Sequence, residues 1–120
     1  MMKKKTNPDF LNGVPELLVL QLLDRRPMHG YDLVQAIRDS SGMKLDFGEG
    51  CIYPVLHRME EQKLLTSKRQ LVSGRNRIVY QLTKQGHKKL AASLATWKHV
   101  VSAVNTVLQG GTHGGEPALA

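Results

Sequence analysis

The side chains best placed to do chemistry in this chain are cations. Lys68, Arg69, Arg75 and Arg77 fall within residues 66–82, and no Asp or Glu occurs anywhere in residues 62–115. Such a cluster neutralises polyanions and does little else. The segment TSKRQLVSGRNRIVYQL alternates in its second half. Ile78, Tyr80 and Leu82 are interleaved with Arg77, Val79 and Gln81, which is the period of a strand. A turn at Ser73-Gly74-Arg75-Asn76 would fold it into a hairpin, with Gly74 supplying the turn geometry.

Other chemistries find no support. The residues offer no nucleophile–base pair, metal set, phosphate loop or cofactor-binding pattern, so an enzyme is not expected. His29, His57, His87, His99 and His113 lack metal-ligand spacing, and the single cysteine cannot complete a zinc site. That cysteine, Cys51, also excludes an internal disulfide, which fits a reducing cytoplasm. At a helix N-terminus its thiol would have a lowered pKa and could act as a redox switch, although most lone cysteines do not. The apolar run at residues 17–23 is broken by Gln21 and too short to span a bilayer. A soluble cytoplasmic protein is expected.

The formal net charge of +7 and pI near 9.8 favour a polyanionic partner: nucleic acid, an acidic protein or an anionic surface. The 120 residues suffice for one small domain.

Four helices must position the hairpin. Residues 14–24 form the first, with Pro15 in its first turn and Leu17, Leu18, Val19, Leu20, Leu22 and Leu23 making it apolar nearly all round, hence central. Residues 30–40 form the second, with Tyr31, Leu33, Val34 and Ile37 on one face and Gly42 as its stop. Residues 50–63 form the third, with a core stripe of Ile52, Val55, Leu56 and Met59. Pro54 is tolerable there in or near the first turn. At about 100° per residue, Gly50, Pro54, His57 and Glu61 fall opposite that stripe, flanked by Tyr53 and Arg58.

Thr83 caps the last helix, which runs to Leu108. Leu90, Leu94, Trp97, Val101, Val104 and Leu108 recur in steps of four and three, a heptad seam suited to self-association. Lys84, Lys88 and Lys89 read as a solvated face.

Helix, helix and basic hairpin in this order predict a mainly α fold: a winged helix-turn-helix with a two-stranded β-wing and a long C-terminal dimerisation helix. The expected organisation is a basic arm at 1–9, a DNA-binding domain at 10–82, a dimerisation helix at 83–108 and a disordered or non-native tail at 109–120. In such a fold the third helix enters the major groove. Tyr53, His57 and Arg58 on that helix, and Lys68, Arg69, Arg75, Asn76 and Arg77 on the hairpin, are the candidate DNA contacts. Each has a plainer reading. The wing cations could form a solvated tip, Asn76 could serve the turn, Tyr53 could be a half-buried aromatic under the wing, and Arg58 could pair with Glu60 or Glu61. Lys68 and Arg69 lie on opposite strand faces, so one of the two is expected to meet phosphate.

Three segments together resemble the PadR family of transcriptional regulators. They are His29-Gly30-Tyr31-Asp32-Leu33; Gly50-Cys51-Ile52-Tyr53-Pro54-Val55-Leu56-His57-Arg58-Met59-Glu60; and Gly74-Arg75-Asn76-Arg77-Ile78-Val79-Tyr80-Gln81-Leu82-Thr83. The resemblance covers residues 12–104. It implies a homodimer that binds a two-fold operator in double-stranded DNA as a repressor, of the small subclass with a single C-terminal helix. It also implies that a small aromatic or hydrophobic effector can release the DNA, with Trp97 as a wall of the pocket; the plainer reading of Trp97 is a knob in the dimer core. Cys51 departs from the usual Thr or Ser and would alter a phosphate contact. Val79 replaces a commonly aromatic residue. The competing reading is a winged-helix interaction module whose basic face docks an acidic protein.

Overall fold

The computed structural model describes residues 13–110. Its elements run α1 (Val14–Arg25), β1 (Met28–His29), α2 (Gly30–Ser40), α3 (Glu49–Glu61), β2 (Leu65–Val72), β3 (Arg75–Leu82) and α4 (Lys84–Leu108). The arm expected at 1–9 and most of the tail expected at 109–120 lie outside the described residues. The chain divides into two compact units between Leu90 and Ala91, within α4.

In the first unit three helices pack against a three-stranded antiparallel sheet of order β1-β3-β2. The core holds the expected stripes: Val19 and Leu20 from α1, Leu33 from α2, and Ile52, Leu56 and Met59 from α3 are completely buried. Leu17 and Leu18 remain partly exposed, so α1 is less fully enclosed than its composition implies.

Helix ends follow from local chemistry. The α2 backbone closes with Gly42 N–H bonded to the Asp39 carbonyl and Met43 N–H to Arg38, with Gly42 left-handed at φ 67°. The end of α3 is built the same way, but with Lys63 at φ 67° in the position glycine usually takes. There Lys63 N–H bonds to Glu60 and Leu64 N–H to Met59. Pro54 sits deeper than the first turn, as the sixth residue of α3, so its missing N–H leaves the Gly50 carbonyl without its helical donor. Both Gly50 and Pro54 face solvent, where water can take that role.

The sheet differs from the expected two-stranded wing in three ways. Met28 and His29 add a short strand that pairs with Tyr80 and Val79 of β3. His29 then caps α2, accepting the Asp32 N–H at Nδ1 (3.3 Å). The turn is shorter than four residues: Ser73 (φ 50°) and Gly74 (φ 81°) form the loop, and Arg75 and Asn76 already pair with Val72 and Leu71. Positive φ at both positions matches the twist of a hairpin ribbon. Finally, Ile78 is exposed and Val79 buried.

Thr83 caps α4 as expected, its Oγ1 accepting the Gly86 N–H (3.0 Å). The same hydroxyl donates toward the Lys63 carbonyl (2.7 Å), and Thr83 N–H donates to the Leu64 carbonyl (3.0 Å). Gly86 lies so close to this junction that a Cβ would run into the Leu64 carbonyl oxygen and stand 2.9 Å from Leu82 Cδ2. Gly86→Ala is therefore expected to destabilise the fold by about 1–3 kcal/mol, the cost of overpacking a tight site. Thermal unfolding followed by circular dichroism checks this; a melting temperature at or above that of the unaltered protein would show that the junction yields freely.

Candidate nucleic-acid interface

The outer face of α3 is formed as its periodicity predicts. Gly50, Pro54, His57, Arg58 and Glu61 are exposed, and Tyr53 is half-buried. The Tyr53 ring lies against the first turn of α2, where a Cβ on Gly30 would stand 2.5 Å from Tyr53 Cε1 and 2.7 Å from its hydroxyl. Glycine at position 30 is thus the seat of the ring. His57, one turn along α3, has its ring centroid 6.5 Å from that of Tyr53, tilted by 48°.

Burial pushes the Tyr53 phenol up from its ordinary pKa; the Glu49 carboxylate adds to this and the Arg77 guanidinium opposes it. The hydroxyl therefore keeps its proton throughout the physiological range and is available as a donor to a phosphate oxygen. The influence of Arg77 also shows that the wing and the start of α3 are electrostatic neighbours.

Strand register sorts the wing residues into two faces. Cα pairs Lys68–Val79, Gln70–Arg77 and Val72–Arg75 put Lys68, Arg75 and Arg77 on one face. Pairs Arg69–Ile78 and Leu71–Asn76 put Arg69 and Asn76 on the other. Lys68, Arg69, Arg75 and Asn76 are exposed; Arg77 is half-buried, set back from the tip by two residues. Its Nε is buried without a hydrogen-bond partner among the described residues.

Two acids near this surface, Glu60 and Glu16, have structural partners. Glu60 Oε2 accepts from Ser67 Oγ at 2.6 Å, joining the end of α3 to β2. Arg58 pairs not with Glu60 or Glu61 but with Glu16 of α1, Nη2 to Oε1 at 3.7 Å. Residue spacing carries no sign of Glu16, of the Gly30 seat or of the Ser67 tether, because each is a contact between elements. Among the described residues no cluster of His, Cys, Asp or Glu is arranged to hold a metal ion, and no helix is long and apolar enough to cross a membrane.

Residues 19–92 match the transcriptional regulator PadR-like family. The chain belongs to the PadR family. It is 35% identical over 77 residues to transcriptional regulator YqjI of Escherichia coli, covering 64% of this chain and 36% of that protein. It thus spans about a third of the length of that curated relative. It is 33% identical over 82 residues to transcriptional regulator Rv3488 of Mycobacterium tuberculosis, covering 68% of this chain and 74% of the relative. A PadR-like transcriptional regulator from Bacillus cereus has a crystal structure that superposes with a TM-score of 0.73 at 31% identity, covering 85% of this chain and 98% of that one. The PadR winged helix accounts for the helix order, the basic hairpin and the long α4. As a family of transcriptional regulators, PadR also agrees with a chain whose residues suggest no catalysis.

Cys51 corrects one expectation from the sequence. Its thiol is pushed up, not down: burial dominates and the Arg58 cation only partly offsets it. Cys51 should react with a disulfide reagent at pH 8 more slowly than a free model thiol, since less of it is thiolate. Stopped-flow absorbance with an aromatic disulfide measures this, and a rate equal to or above the model thiol would contradict the assigned environment.

Proposed function

We propose that this PadR-family protein is a homodimeric repressor that binds a two-fold operator in double-stranded DNA. The observation that carries the reading is the wing face holding Lys68, Arg75 and Arg77, in an acid-free stretch of chain, beside a reading helix whose Tyr53 hydroxyl is a protonated donor. In this reading the wing cations and Tyr53 hold phosphates and supply most of the affinity through counterion release. His57 and Arg58 on the exposed face of α3 meet base edges in the major groove, and Arg69 and Asn76 contribute from the other wing face.

The second unit supports self-association. Trp97, Val100, Val104, Val107 and Leu108 are large apolar residues exposed on α4, at spacings that keep them on one stripe. Leu94 and Val101 beside them are half-buried, whereas Leu90 belongs to the core of the first unit. A continuous apolar stripe in water calls for cover, and a second copy of α4 supplies it. Val100 and Val107 extend the seam beyond the residues that its heptad steps select. Trp97, 44% exposed, presents an aromatic surface on that stripe to which a flat hydrophobic effector could bind and bias the dimer against its operator.

Two measurements test this. Fluorescence anisotropy with duplex DNA from upstream of the protein's own gene should show Arg75→Ala/Arg77→Ala binding at least tenfold more weakly at low salt. Its log K–log [salt] plot should flatten by about 0.9 for each phosphate that the variant no longer neutralises. Equal, weak binding of the unaltered protein to this and to random DNA would favour an acidic protein partner instead. Val104→Glu should convert a dimer to a folded monomer in sedimentation equilibrium; a dimer of unchanged strength would exclude the α4 seam.

A further inference from the structure

The wing carries more than charge. On the face bearing Arg69, the end nearest the turn exposes two large apolar side chains, Leu71 at 69% and Ile78 at 40%. Because Arg69 pairs with Ile78 and Leu71 with Asn76, Leu71 and Ile78 are diagonal neighbours on one face of the ribbon. The same face is covered nearer its base, where Leu65, Tyr80 and Leu82 are buried and Ser67 is tied to Glu60. The apolar pair is thus confined to the projecting end of a hairpin whose turn and base are both fixed.

We propose that Leu71 and Ile78 pack on the deoxyribose walls of the DNA minor groove, giving the wing a non-ionic, salt-independent share of binding. This rests on the DNA-binding reading above and adds to it. The charge around the pair selects the partner. Arg69 stands on the same face beside the pair, Arg75 and Arg77 stand on the opposite one, and the stretch contains no acid, so whatever touches Leu71 meets a cation and no carboxylate. The partner must be a polyanion that also offers apolar surface between its charges. The minor groove does this: it is about 6 Å wide, walled by sugar C–H groups and bordered by phosphates.

Salt dependence separates the two kinds of contact. Counterion release sets the slope of log K against log [salt], while sugar packing shifts the line without tilting it. Leu71→Ser/Ile78→Thr in the full chain, titrated against the upstream duplex from 0.1 to about 0.6 M KCl, should lose about tenfold in affinity at every salt concentration with unchanged slope. Leu71→Met/Ile78→Val, which keeps the apolar area, should bind like the unaltered protein. Unchanged affinity in the polar variant, or a weakening that comes with a shallower slope, would overturn the proposal. So would weaker self-association in sedimentation equilibrium with DNA affinity intact, since the pair would then belong to a second copy. If the unaltered protein shows no salt-dependent binding to DNA at all, the DNA reading itself fails, a result distinct from failure of the apolar pair alone.

Discussion

The first unit depends on one carbonyl group. Leu64 O accepts Thr83 N–H, lies within reach of the Thr83 hydroxyl at 3.1 Å, and closes against the Cα of Gly86. At this point α3 has just ended, β2 is about to begin, β3 has just ended and α4 starts. Lys63 holds a left-handed conformation to bring Leu64 there, at a cost of order 1 kcal/mol for a residue with a Cβ. Two hydrogen bonds from Thr83, each worth about 1 kcal/mol net, outweigh it. The hairpin therefore leaves and re-enters the body at a single clamped site, and the wing cations inherit their position from it.

The interface separates its charges by function. Cations face outward on the wing, and one nearby acid is turned to structural work. Glu60 is occupied by Ser67, and its charge also adds to the upward push that burial gives the Tyr80 phenol, so Tyr80 stays neutral in the sheet. The tether ties β2 to the end of α3 and so fixes the base of the hairpin.

The helices and their buried faces were legible in the sequence because a 3.6-residue period over eleven or more residues is a redundant signal: moving Leu17 and Leu18 out of the core of α1 changes nothing about its register. The three family segments were legible for a different reason, since each carries a glycine or aromatic at a geometrically demanding place. Gly30 seats Tyr53, and Gly74 makes the turn. What escaped was decided by contacts remote in sequence. A two-residue strand has no period to detect, yet β1 completes the sheet by pairing with Val79 and Tyr80 of β3. The Cys51 thiol stands at a helix start, yet burial among neighbours remote in sequence pushes it up, against the pull of Arg58.

Arg58 shows how the same surface can be stable alone and still open to a ligand. Its pair with Glu16 spans 3.7 Å, with the arginine about half exposed. A pair so placed contributes no more than about 1 kcal/mol, and usually less. A bidentate contact to guanine discriminates by about 1–3 kcal/mol. In the DNA-binding reading proposed above, so weak an internal pair would not hold Arg58 back from a base edge. The pair joins α3 to α1 without locking Arg58, and its partner comes from a helix that the local pattern around Arg58 gives no reason to suspect.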